Sequence, residues 1–188
     1  MPQTDSSLFY QLYFQAPGVA EAELERNPRD TIRRLLYSGS GDAPRESDNT
    51  FGDHAPGMVP RTGGFLTRTI DPPTLPAWLT DADIDFYAGE FARAGFRGGL
   101  NWYRNIDRNW ELLAPFDGVP VSVPALYIAG DRDPVVKFSG MDRHLADQPK
   151  FVPQLRDVIM LAGCGHITQE ERPAEVSSAM IDFIRGLP

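Results

Sequence analysis

The chain has 188 residues, 41% of them hydrophobic and 11% aromatic, enough for a packed core and well away from a disordered composition. Its formal charge of -8, with a pI near 4.8, repels phosphate backbones and anionic lipid surfaces, so nucleic-acid and membrane-surface roles are disfavoured. No run of 18 apolar residues codes a membrane span, the start lacks the basic end and apolar stretch of a signal peptide, and a lone cysteine, Cys164, excludes intrachain disulfides and multi-cysteine metal sites, so the cytoplasm is the expected compartment.

Residues 5–37 open with an aromatic cluster, Phe9, Tyr10, Tyr13 and Phe14, closed by the breaker Pro17-Gly18. Alanine and glutamate then predict a short helix from Val19 to Arg26. After Asn27-Pro28, residues Asp30 to Tyr37 read as another helix with Ile32, Leu35 and Leu36 on one face. Residues 38–79 hold 6 Gly and 6 Pro in 42 positions, a density that predicts loop throughout. A loop of that length inside a domain usually covers or connects something.

Helix returns over residues 80–115. Thr80 followed three residues on by Asp83 has the spacing of a capping box, and Ile84, Tyr87 and Phe91 share the face that follows. Gly95 and Gly98-Gly99 are expected to end that helix, with a second one carrying Tyr103, Ile106, Trp110 and Leu113 on one side. Residues 116–188 change character. The run Val123 to Ala129, closed by Gly130 and acidic residues, predicts a strand buried on both faces, and Asp157 to Leu161 repeats it. A helix near Met141 to Asp147 lies between them, and an amphipathic helix from Glu175 to Leu187 carries Val176, Met180, Phe183, Ile184 and Leu187. Strand, helix, strand, helix implies a parallel α/β arrangement. Two parallel strands do not make an independently stable sheet, and residues 1–122 offer no partners of the same kind. The expectation is therefore the C-terminal portion of a larger α/β protein.

Asp131-Arg132-Asp133-Pro134 stands just past the first predicted strand, and His166, in Gly163-Cys164-Gly165-His166, just past the second. That edge of a parallel sheet is where loops converge on a crevice. An acid and then a histidine, each at a strand end, is the latter part of the order nucleophile, acid, histidine used by α/β-hydrolases. The carboxylate fixes the imidazole tautomer and steadies the charge it acquires. Asp133 is preferred to Asp131, which leaves the strand at once and is placed to cap the turn.

The stretch Tyr10-Gln11-Leu12-Tyr13-Phe14-Gln15, with Pro17 to Glu25 after it, closely resembles the start of the lid in soluble epoxide hydrolases of the α/β-hydrolase superfamily. Gly95 to Asn105, containing Asn101-Trp102-Tyr103-Arg104-Asn105, resembles the end of that lid. The resemblance covers nearly the whole chain, most loosely over residues 38–79. It implies the C-terminal part of an α/β-hydrolase fold, a parallel sheet with flanking helices over residues 116–188, preceded by a mainly helical lid over 1–115. It also implies the activity: an aspartate attacks an epoxide carbon while two lid tyrosines hold the ring oxygen, and histidine-activated water then hydrolyses the ester. Carried over by motif position, the tyrosines are Tyr10 and Tyr103, beside Asp133 and His166; Tyr13 is read as core packing. The implied partners are a small-molecule epoxide and water, with homo-oligomers allowed for and no cofactor called for. Ile167, where relatives often carry tryptophan, and Gly99, where proline is frequent, bear on pocket shape.

No residue matches the family's nucleophile turn. Ser38-Gly39-Ser40-Gly41 lacks both the aspartate and a leading apolar strand, and Cys164 is too near His166 to attack beside it. His54 in the loop and His144 on a helix face, with no acidic cluster at ligand spacing, do not make a metal site with His166. The expectation is an epoxide hydrolase whose nucleophile-bearing N-terminal half is not in this chain. The alternatives are a haloalkane or haloacid-type dehalogenase, or a non-catalytic lid-bearing ligand-binding fragment; the tyrosine motifs weigh against the first.

Overall fold

The computed structural model describes residues 1–44 and 55–187, so His54 lies outside the described residues. The chain forms two compact units. The first comprises Met1–Ser38 with Ala43–Pro115, the second Gly39–Asp42 with Phe116–Pro188. Among the described residues no helix is long and apolar enough to cross a membrane.

The first unit begins with a strand, β1 (Ser7–Phe9), paired antiparallel with β2 (Met58–Pro60) in the register Leu8 opposite Val59. This corrects the expectation of loop throughout 38–79. Met58 and Val59 are buried, and β1 satisfies their backbone from about fifty positions away, so local Gly/Pro density does not decide the matter. A 3-10 turn at Phe65–Arg68 also lies in that segment, its first two amides, Phe65 and Leu66, donating to the Glu23 carboxylate at 3.0 and 2.8 Å. Directly after β1 comes the single turn α1 (Tyr10–Tyr13), then α2 (Val19–Leu24) and α3 (Pro28–Gly39). Proline at the first position of α3 costs nothing there, because that N–H has no partner within the helix.

The longest helix of the unit, α4 (Asp81–Ala94), starts on the expected box: the Thr80 hydroxyl accepts from the Asp83 amide and the Asp83 carboxylate accepts from the Thr80 amide. Gly95 ends it with φ +73. Gly98 and Gly99, expected to break helix, instead lie within α5 (Arg97–Arg104), and the break falls at Asn105, before α6 (Ile106–Leu113). Burial of Phe96 and Leu100 outweighs the propensity cost of about 1 kcal/mol per glycine. The break also separates the expected common face: Tyr103 packs on the core while Trp110 and Leu113 are exposed.

The core of this unit is Phe14, Ala20, Leu24, Ile32, Leu79, Ile84, Phe96 and Leu100, with Tyr10 and Tyr103 against it. A part-buried ion pair joins α2 to α5. Arg104 grips both oxygens of Glu21 at 2.7 and 2.9 Å and also donates to the Phe14 carbonyl, each charged side chain being 12% exposed. The guanidinium holds the Glu21 carboxyl down to about 2 despite burial.

The second unit is a two-stranded parallel sheet, β3 (Ala125–Gly130) with β4 (Leu155–Leu161), joined through α7 (Met141–Phe151). The short turn α8 (Thr168–Glu171) and the helix α9 (Pro173–Arg185) follow. The strands differ from the expectation of burial on both faces. Ala129 and Leu161 are buried, but Val158 and Met160 are exposed, as are Met180 and Ile184 on α9. Two strands and their helices leave sheet faces uncovered; the apolar runs carry more burial demand than the described residues meet.

Candidate active site

Both strands of the parallel sheet end in loops at their carboxyl ends, and the loops hold Asp133 and His166. Asp133 is buried, its carboxylate oxygens directed at different partners. One accepts from the Val135 amide at 2.7 Å, and the other meets His166 Nδ1 at 2.9 Å. A carboxylate only accepts, so Nδ1 carries the proton and the basic lone pair of the neutral ring is on Nε2. The two side chains are unequally accessible, 11% for Asp133 and 59% for His166, which gives a shielded acid and a reachable base. The bond to Asp133 raises the His166 pKa against the opposing effect of desolvation, and the charges of Asp133 and Glu171 act in the same upward direction. Asp131 takes the other position: its carboxylate accepts from the Gly163 amide at 2.8 Å and so ties the two loops together.

The loop under His166 is packed backbone to backbone on Gly39–Asp42. A Cβ at Gly165 would stand 2.3 Å from the Gly39 carbonyl oxygen, and one at Gly41 would stand 2.0 Å from that of Gly163. Only glycine permits so close an approach. Ser40 is fully buried in that layer, which removes it from consideration as an attacking group. Buried Glu171 lies beneath the loop, and burial together with its charge pushes the Cys164 thiol up to about 11. Sequence spacing did not single out Glu171 or Gly39–Asp42; the one signal available was the pair of Gly-x-Gly runs at 39–41 and 163–165.

In the first unit Tyr10 and Tyr103 meet edge to face, ring centres 5.6 Å apart, with Phe14 against both. Both are half-buried. The Gln11 side chain donates to the Tyr10 hydroxyl at 3.3 Å, and burial raises the Tyr103 pKa, the neighbouring Tyr10 adding to it. Tyr13 is committed elsewhere. Its hydroxyl donates to Glu23 at 2.6 Å, and burial and that carboxylate both raise its pKa. His144 lies on α7, and among the described residues no cluster of histidine, cysteine and carboxylate groups is arranged to hold a metal.

Comparison with known proteins agrees with this architecture. The chain is 43% identical over 181 residues to Epoxide hydrolase A of Mycobacterium tuberculosis, covering 96% of this chain and 53% of that one. It is 40% identical to Epoxide hydrolase 2 of Siraitia grosvenorii, covering 94% and 52%. The crystal structure of Epoxide Hydrolase A from Mycobacterium thermoresistibile superposes with a TM-score of 0.83 at 41% identity, covering 98% of this chain and 54% of that one. The chain thus spans about half the length of the curated relatives it matches. A sequence profile described as Alpha/beta hydrolase family matches residues 15–179, which include the sheet, its strand-end aspartate and the loop histidine. With that profile running through both units, the chain belongs to the alpha/beta hydrolase family.

Proposed function

We propose that this chain carries the two oxygen-holding tyrosines and the water-activating acid–base pair of an epoxide hydrolase, an enzyme that opens an epoxide to a vicinal diol. The observation that carries the reading is the edge-to-face pair Tyr10–Tyr103, because an Asp–His pair serves many hydrolases while two adjacent phenols suit one epoxide oxygen. The names of the relatives support it.

In the first step a carboxylate oxygen attacks a ring carbon, the C–O bond breaks, and its electron pair goes to the ring oxygen. Charge developing there is met by the hydroxyls of Tyr10 and Tyr103, one of which delivers a proton. In the second step His166 Nε2 takes a proton from water, and the hydroxide adds to the ester carbonyl. The acyl–oxygen bond then breaks, and the leaving alkoxide takes the proton of the new carboxyl group, which releases the diol and restores the carboxylate; Asp133 holds the imidazolium until its proton passes through water to the tyrosinate, restoring both groups. The attacking carboxylate is assigned to polypeptide outside residues 1–188. Acidic charge and a single buried cysteine support a cytoplasmic setting, and the uncovered apolar residues support self-association.

The test joins the part of the Mycobacterium tuberculosis relative that this chain does not cover, placed ahead of Met1, and assays a styrene-type epoxide. Tyr10→Phe and Tyr103→Phe are each expected to slow ring opening, within the 10²–10⁴-fold range of general acids. The double variant is expected to be slower than either, since the phenols share one oxygen. Tyr13→Phe is expected to retain more activity than Tyr10→Phe, its hydroxyl being tied to Glu23. A crippled Tyr13→Phe with a silent Tyr10→Phe would overturn the choice of tyrosine. Halide release from haloalkanes without epoxide turnover would overturn the reaction.

A further inference from the structure

The mechanism above leaves one buried carboxylate unused. Glu171 is 5% exposed, and its two oxygens accept three backbone N–H bonds from two chain segments. One oxygen takes Gly41 at 2.8 Å and Gly165 at 2.9 Å, and the other takes Ile167 at 3.3 Å. Gly165 and Ile167 flank His166, whose own amide donates to the Gly39 carbonyl at 2.8 Å. The two preceding amides are also bonded: Gly163 donates to Asp131, and Cys164 to the Leu161 carbonyl. Every backbone N–H from Gly163 to Ile167 is therefore held. Of the five, the two beside the histidine depend on one side chain, which also holds the Gly39–Asp42 layer against the loop.

We propose that Glu171 is the positioning residue of the catalytic histidine: it clamps the loop on both sides of His166 and so fixes the imidazole on Asp133. This rests on the reading of His166 as the base. A carboxylate suits the task because it presents several acceptor sites and no donor. A carboxamide in its place would turn an N–H toward groups that are themselves N–H donors. Glu171 also acts through its charge, which raises the His166 pKa alongside the contact and charge of Asp133.

The experiment reads the histidine itself and needs no turnover, so it stands or falls separately from the reaction assigned above. The full 188-residue chain, wild type, E171Q and E171D, is followed by ¹⁵N NMR of the His166 ring and by hydrogen exchange of backbone segments. In the wild type the neutral ring is expected to carry its proton on Nδ1. In E171Q the His166 pKa is expected to fall, the neutral ring to shift toward the Nε2–H form, and exchange at Gly41, Gly165 and Ile167 to speed up at least ~10-fold, each exposing amides now held by hydrogen bonds. The sheet amides of β3 and β4 are expected to keep their protection. E171D retains the charge on a shorter arm and is expected to recover part of the pKa while the loop amides still exchange faster. An unchanged His166 tautomer and pKa in a folded E171Q chain would overturn the proposal. So would loss of protection throughout the second unit in both variants, which would make Glu171 a folding residue rather than a positioning one. Segment exchange read by mass spectrometry separates loss of protection confined to the loop from loss throughout the second unit even if the chain associates.

Discussion

Asp133 holds one nitrogen of His166 and leaves the other facing solvent, and the pH behaviour of the protein follows from that asymmetry. A histidine whose folded pKa is raised contributes stability that is fully present below its unfolded value of about 6.5 and is lost as pH rises through the higher folded value. For ester hydrolysis the sense is opposite in effect. In the proposed mechanism the free base is the working form, so the acidic limb of the activity profile of the joined enzyme is expected to lie above that of an unperturbed imidazole. Asp133→Asn removes the largest cause of the shift, and an NMR titration is expected to show the His166 pKa falling. A titration unmoved by the change would mean that another group governs the ring. These two residues were legible in the sequence because each follows an apolar run closed by glycine, which marks a strand end in any parallel sheet. Tyr10 and Tyr103 are singled out only by resemblance, since four aromatics within six positions give no spacing by which Tyr10 separates from Tyr13. Glu171 was not legible: its partners are main-chain amides, and nothing in residue type announces them.

Helices α2 and α5 depend on the Glu21–Arg104 pair, which also fixes the turn of α5 that presents Tyr103. Removing one partner of this part-buried pair leaves the other uncompensated, so Arg104→Met is expected to cost about 2 kcal/mol in urea unfolding, between the surface and fully buried cases. A cost below about 1 kcal/mol would mark the pair as an ordinary surface contact. Glu21 has a depressed folded pKa, so its contribution is present above its ordinary value of 4.5 and is lost as pH falls toward about 2. Stability measured between those pH values is expected to decline less steeply in Glu21→Gln. At this scale the sequence was informative wherever a signal was local. The Thr80–Asp83 box placed the start of α4, and Asn27-Pro28 separated α2 from α3. It was uninformative for β2, whose partner β1 lies far off in the chain, and for Gly98 and Gly99, which tertiary packing keeps helical.

The two units differ in how completely their apolar residues are covered. The first has an extended aromatic and aliphatic core, while the second buries Leu161, Cys164 and Val176 with Ile128 and Ile159 against them. Val158, Met160, Met180 and Ile184 stay exposed, and among the described residues each strand of the parallel sheet has only the other as neighbour. Open edges of this kind template pairing with other chains. Light scattering on the 188-residue chain is therefore expected to report oligomers; a monodisperse monomer with native sheet content would show that the exposed faces are tolerated. The apolar excess of both strands was readable in the sequence, and the expectation of neighbours came from it; which residues cover those faces was not, because a strand's composition records the need for burial and not its source. We propose that Asp133, His166, Tyr10 and Tyr103 act with an attacking carboxylate carried outside residues 1–188. The most direct test is a mass spectrum after epoxide treatment, taken on the 188-residue chain and on its joined form, each with and without His166→Gln. No turnover and no adduct are expected on the chain alone, with turnover in the joined form and, in the joined His166→Gln variant, an ester that accumulates as one substrate mass on the protein. Epoxide hydrolysis by monodisperse 188-residue chain, abolished by His166→Gln, would contradict the proposal.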